Sequence, residues 1–271
     1  MGDKEPLEVR RDESGDHPVT PRLAAVRAAV ARLDNAADFE AAGAALKELA
    51  LALGMPTLAW APDVSRPTLD PHMDAFLRSE GWSDEVMALW WDRNVMLRSP
   101  IYIRCRIRSL PFITAAVDKV PPGRPELRRI AEAMRDMAVR TLITSPVHLP
   151  RGQIAMITWG GPLPLAETRK ALQECRPELL AAGYCFMNAF RTVAGRVQTT
   201  EEELSRLTPR EWECLRLTAQ GCREEQVATL VGLGATTVRY HLDNVVRKLG
   251  ATNRIHAVAL AAQLGLLGPI G

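Results

Sequence analysis

Residues 207–267 constrain what this chain can fold into more than any other stretch. Thr208-Pro209-Arg210-Glu211 combines a hydroxyl that can cap, a Pro where no helical N–H is missed, and a Glu three residues on that completes a capping box. These signals predict a helix over 209–219, ended by Gly221. A second short helix from about 224 would use Val227, Ala228 and Leu230 as its apolar side and stop at Gly232-Leu233-Gly234. From 236 to 249, Val238, Leu242, Val245 and Leu249 recur at i, i+4, i+7 and i+11, so they share one stripe of a 3.6-residue helix that must be buried. The other side offers hydroxyls, cations and one acceptor, groups suited to phosphates and base edges. The candidate DNA-binding residues are therefore Thr236, Thr237, Arg239, Tyr240, Asp243, Arg247 and Lys248. Helix, tight turn and outward polar helix make a helix-turn-helix, braced by a fourth helix over 252–264.

The residues that carry this pattern also carry a resemblance. Leu207-Thr208-Pro209-Arg210-Glu211, Ala219-Gln220-Gly221, Thr237-Val238-Arg239-Tyr240-His241-Leu242, Arg247-Lys248-Leu249-Gly250-Ala251 and Asn253-Arg254 resemble the LuxR-type DNA-binding domain. The resemblance implies double-stranded DNA as a partner. Two positions depart from it: Cys222 stands where the family has a cation, and Gly234 where it has Ser. Gly remains a fair N-cap, while the lost cation would remove one phosphate contact.

Net charge does not argue for nucleic acid. The formal charge is +2, and residues 206–271 hold eight Lys/Arg against five Asp/Glu, a permissive balance and no more. The DNA reading therefore rests on the motif. Five cysteines, Cys105, Cys175, Cys185, Cys214 and Cys222, are odd in number and lack any C-x-x-C spacing, which suggests reduced thiols and no zinc. No apolar run approaches a membrane span, and residues 1–20 are charged without an apolar centre, so a cytoplasmic protein is expected.

Taken in order, residues 1–20 read as a disordered tail. Two Ala-rich helices follow from Pro21, separated near Asp34-Asn35, with Leu46, Leu49, Ala50 and Leu53 as the buried side of the second. Residues 57–61 read as a strand, with a loop to about Pro71, and Ser83 can cap an aromatic helix to about Leu97 in which Trp82 and Trp90 would share a face. Residues 101–108 alternate as a half-buried strand does. A helix over 124–141 directs Leu127, Ile130, Met134 and Met137 inward, and 143–149, Pro150-Arg151-Gly152 and 153–159 form a hairpin. Residues 165–175 are helical, and Pro177 restarts a helix to about Val193. The expected architecture is an α/β layered (α-β-α sandwich) sensor over 21–193, a linker over 194–203, and an all-α four-helix helix-turn-helix domain over 204–269.

The sensor half lacks the paired acidic residues and strand-end Asp of a phosphoacceptor receiver. Trp90, Ser99-Pro100, Pro111-Phe112, Pro146, Gly152 and Thr158 instead fall at intervals that resemble the autoinducer-binding domain of quorum-sensing LuxR proteins. By that resemblance the pocket residues are Trp82, Val86, Trp90, Ser99, Thr114 and Thr158, and the segment after Pro100 is a helix rather than a strand. Here the family's Asp is Ser99, its Trp donor is Val86, and another aromatic is Thr114, so an acyl-homoserine lactone would lose its usual head-group contacts. A small apolar ligand of another kind, or none, is expected. A homodimer on an inverted-repeat site is the expected working form, with a dimerising anti-activator that does not bind DNA as the rival. No catalytic constellation or cofactor motif is present: the five histidines are scattered, and there is no G-x-S-x-G or phosphate loop.

Overall fold

The computed structural model describes residues 19–65, 70–90, 92, 98–115, 123, 125–195 and 206–268. The expected tail, apart from Val19 and Thr20, and the expected linker beyond Gly195 lie outside the described residues. In the N-terminal half, α1 (Pro21–Asp34) and α2 (Phe39–Leu53) lead to β1 (Thr57–Ala61), then α3 (Pro71–Ser79), α4 (Asp84–Trp90) and α5 (Pro100–Ile107). After β2 (Phe112–Ala115) and α6 (Pro125–Asp136), β3 (Thr141–His148) and β4 (Ile154–Gly161) form the hairpin, and α7 (Leu165–Val193) closes this half.

The sheet has the order β1-β4-β3-β2 with every pairing antiparallel. Its alternation sets two opposite faces. Trp60, Ser145 and Val147 face α7: the Trp60 ring lies 5.3 Å from Phe186, and Gly183 lets the helix approach Val147 and Ser145 so closely that a Cβ there would meet Val147 at 2.8 Å. Arg22 and Arg27 of α1 pair with Glu174 and Glu178 of α7, so α1, α2 and α7 form one outer layer. The opposite face meets α5 and, through Met134, α6, on which α4 packs, and this completes an α-β-α sandwich. Where β4 ends, Gly161 touches the turn before β1: a Cβ would meet Met55 Cα at 2.8 Å and the Gly54 carbonyl at 2.9 Å.

Several local expectations change. Residues 100–107 are helical, as the resemblance implies and against their strand-like alternation, because Ile101, Tyr102 and Cys105 (i, i+1, i+4) are the residues buried, and Pro100 sits at the first helical position. Residues 71–79, for which the sequence predicts no element beyond the loop ending near Pro71, form a helix started by Pro71 with Asp70 accepting from His72 N. The aromatic helix is described only to Trp90, and residues 91 and 93–97 lie outside the described residues. The helix expected to reach 141 ends at Asp136, where Ala138 takes φ 58° and β3 begins. Pro177 does not restart a helix, since 165–193 is one continuous helix with Pro177 inside it. The carbonyl deprived of a partner by Pro177 belongs to the exposed Gln173, where water can satisfy it. Pro146 is tolerated in β3 because β2 pairs only as far as Thr144, which leaves that edge open.

The C-terminal half is α8 (Pro209–Ala219), α9 (Glu224–Val231), α10 (Ala235–Lys248) and α11 (Arg254–Gln263). Val238 and Leu242 pack with Cys214, Val227, Ala228 and Val231, while Val245 packs with Leu215, Ala257, Ala261 and Leu267. Adjacent residues of α8, Cys214 and Leu215, thus serve two small cores, one on each side. Leu230, expected on the apolar side of α9, is exposed, and Val231 takes its place because it lies four residues after Val227.

Candidate nucleic-acid interface and sensor pocket

The capping box at the start of α8 forms as read: Glu211 N donates to Thr208 Oγ1 at 3.3 Å, and Thr208 N to Glu211 Oε2 at 2.8 Å. The same Glu211 oxygen accepts from Lys248 Nζ at 2.6 Å. Burial pushes the Glu211 carboxyl up, but the bonds from Lys248 and Thr208 outweigh it and hold it below the usual carboxylate range. Lys248 therefore ties the end of α10 to the start of α8, and its ammonium is committed within the domain.

The remaining candidates lie on the outer side of α10. Thr236, Thr237, Arg239, Tyr240, Asp243 and Arg247 are all exposed, while Val238, Leu242 and Val245 are buried. Gly234 is the N-cap and provides no side-chain bond, and the first turn has no acidic residue. Among the described residues Arg247 Nη2 donates to Asn244 Oδ1, at 2.7 Å, within its own helix. Arg239 donates from Nε at 3.1 Å and Nη2 at 2.9 Å to Glu224 Oε2, and Arg254 binds the other Glu224 oxygen. Arg254 Nη2 also donates to Asp243 Oδ1 at 3.1 Å. Glu224 and Arg254 were not among the sequence candidates, because nothing in helical periodicity links residues of three different helices. Cys222 is half-buried against the core beside Val227, so the departure at that position is a packing residue.

On the sensor side, register aligns Ala59, Thr158, Thr144 and Phe112 across the sheet, and Thr57, Gly160, Leu142 and Thr114 in the next row. Trp82 and Thr158 line one small cavity with Thr57, Ala59, Met134, Met137, Val139 and Leu142, of about 10 Å³. That is room for about one water. Its polar groups already have partners: Thr158 Oγ1 lies 3.0 Å from Thr144 Oγ1, and Trp82 Nε1 donates to the Leu58 carbonyl at 3.1 Å. Thr114 accepts from Arg104 Nη1 at 3.3 Å. Val86 is half-buried against the core, and Ser99 is a buried N-cap of α5 whose side chain makes no capping bond. The Trp90 side chain lies outside the described residues. Met134 and Met137 were read as inward-facing from their spacing, and the structure brings them to this cavity, as it does Ala59 and Leu142. No sequence signal paired them with Trp82. Burial pushes the Cys105 thiol up to about 12 and that of Cys175 to about 11, so both pack as neutral thiols.

Two family profiles cover the chain. That of the bacterial regulatory proteins of the luxR family matches residues 205–261, and that of the autoinducer binding domain matches residues 38–190. The transcriptional activator protein AhyR of Aeromonas hydrophila is 33% identical over 184 residues, 65% of this chain and 67% of that protein. The transcriptional activator protein BjaR1 of Bradyrhizobium diazoefficiens is 26% identical over 204 residues, 75% of this chain and 81% of that protein. The crystal structure of Escherichia coli SdiA shares the fold at a TM-score of 0.55 and 17% identity, covering 90% of this chain and 98% of that one. SdiA in complex with octanoyl-rac-glycerol matches at 0.56 and 16%, covering 92% and 97%.

Proposed function

Because the chain belongs to the luxR family of bacterial regulatory proteins and holds both an autoinducer-binding domain and a LuxR-type helix-turn-helix, we propose that it regulates transcription as a homodimer on an inverted-repeat DNA site. The observation that carries this reading is the outer side of α10, where Thr236, Thr237, Arg239, Tyr240 and Arg247 stand exposed above the buried residues Val238, Leu242 and Val245, with Leu249 of the expected stripe only partly buried. Two such helices in a dimer reach major grooves about 34 Å apart. We divide the chain between sensor and DNA-binding parts at residues 194–203. No described helix is long and apolar enough to cross a membrane.

The sensor takes a small apolar ligand other than an acyl-homoserine lactone, or works without one. The Val86 side chain cannot donate a hydrogen bond, Ser99 is a neutral acceptor, and the cavity that the described residues form beside Trp82 and Thr158 is about 10 Å³. Losing one donor and weakening one acceptor costs roughly 2–4 kcal/mol, a factor of about 30 to 1,000 in affinity. SdiA has been solved with octanoyl-rac-glycerol, an apolar chain on an uncharged hydroxylated head. A ligand of that size would require the cavity beside Trp82 and Thr158 to open from its present volume of about 10 Å³.

Two measurements test the proposal. Gel shifts across genomic fragments should give salt-sensitive binding to an inverted repeat; a dimer with no such binding at low ionic strength would be an anti-activator instead. Melting curves across acyl-homoserine lactones of varied chain length should move little. Strong stabilisation by one of them at nanomolar concentration would overturn the reading of the pocket, while small molecules recovered from protein purified from its native host would identify the ligand.

A further inference from the structure

Glu224, the first residue of α9, joins three helices of the DNA-binding half. Its Oε2 accepts from Nε and Nη2 of Arg239 on α10, at 3.1 and 2.9 Å, and its Oε1 is bound by Arg254 of α11. The Arg239 side chain is 62% exposed, whereas that of Glu224 is 19% exposed, so the carboxylate is the anchored member and the guanidinium the outward one. Its place in the first turn of a helix favours the charged form, and the bonds from Arg254 and then Arg239 hold the carboxyl below its ordinary range.

The geometry of the pair has a chemical consequence. A guanidinium presents two edges with paired N–H groups: one side edge uses Nε and Nη2, and the end edge uses Nη1 and Nη2. Glu224 occupies the side edge of Arg239. The end edge, with two parallel N–H groups, is left facing away from the carboxylate, and two parallel donors match O6 and N7 of guanine in the major groove. Without the carboxylate, a cation this exposed on a long flexible stem would answer to any nearby phosphate, which carries no sequence information. Building on the DNA-binding reading, we propose that Glu224 is a positioning and specificity-determining residue, which holds Arg239 so that it reads a guanine base edge and weakens its pull on the phosphate backbone.

The test uses the full chain and a duplex selected by the wild-type protein from random sequences. Wild-type selection and binding test the DNA-binding reading by themselves, before any variant is compared. Glu224→Gln should lower affinity for the selected site about tenfold, the scale of one misoriented bidentate base contact. Affinity for random duplex should hold or rise, with a salt slope steeper by up to about one unit. Replacing the contacted guanine by 7-deazaguanine, which removes N7, should penalise the wild type but hardly affect Glu224→Gln. Adding Glu224→Gln to Arg239→Ala should cost nothing more. Two results would overturn the proposal: an equal loss on selected and random DNA, or a loss that persists in the Arg239→Ala background. Either would place the role of Glu224 in bracing the domain through Arg254.

Discussion

The Glu211–Lys248 pair gives the most exacting test of how the DNA-binding half is held together. Glu211 is 3% exposed, and one oxygen accepts both Thr208 N at 2.8 Å and Lys248 Nζ at 2.6 Å. Glu211→Gln keeps the shape and can still accept a bond, but the bond from Thr208 N becomes neutral and Lys248 loses its ion pair. A hydrogen bond to a charged group contributes about 1.5–3 kcal/mol against about 0.5–1.5 for a neutral one, so the substitution should cost about 2–3 kcal/mol. Because a two-domain chain does not unfold in one step, the suitable assay is amide hydrogen exchange of α8 and α10 in the full protein. Protection there should fall about 30- to 150-fold while the β3–β4 hairpin is unaffected. The pH dependence follows from the depressed carboxyl. Stability from Glu211 is present above its ordinary value of 4.5 and is lost as pH falls through its lower folded value. The difference between wild type and Glu211→Gln should therefore shrink below about pH 4.5. Equal protection at neutral pH, or a difference that does not shrink as pH falls below 4.5, would refute the reasoning. Thr208→Ala, which removes only the hydroxyl half of the cap, should cost about 1 kcal/mol.

Arg247→Ala should lower the salt slope of DNA binding by about one unit with an unchanged melting temperature, since among the described residues it bonds to Asn244 on its own helix. A lowered melting temperature with intact affinity would mean that the outer side of α10 has been misassigned. Gly161→Ala should destabilise the sensor by about 1–3 kcal/mol in urea titrations, because the new methyl meets backbone at Met55 and Gly54 that no rotamer change can move. An unchanged midpoint there would show that β1 and β4 can slide apart freely.

Sequence alone determined the elements whose signals are local. Thr208, Pro209 and Glu211 start α8 because a capping box closes within four residues, and Val238, Leu242 and Val245 identify the buried side of α10 because a helix repeats every 3.6 residues. The β3–β4 hairpin was legible for the same reason: Pro150-Arg151-Gly152 separates two runs of β-branched and apolar residues. Locality failed at 101–107, where alternating Ile and Arg suit a strand, and the packing of Ile101, Tyr102 and Cys105 in the core made a helix instead. It failed again at Pro177, which the packing of a 29-residue helix along the sheet overrides.

Only the tertiary structure decided where the charges go. Lys248 and Arg247 are neighbours in sequence and equally basic, yet one turns inward to Glu211 and the other outward, because α8 presents its buried carboxylate to only one of them. Glu224, Arg239 and Arg254 come from three helices whose meeting no period encodes. The sensor cavity is of the same kind: Trp82, Met134 and Thr158 are far apart in the chain and meet only because the register of β1, β3 and β4 places Ala59, Leu142 and Thr158 under α6. Secondary structure follows from interactions between residues a few positions apart, which the sequence states directly. A side chain's partner depends on which surfaces the folded cores bring together, and that is known only once the cores have formed.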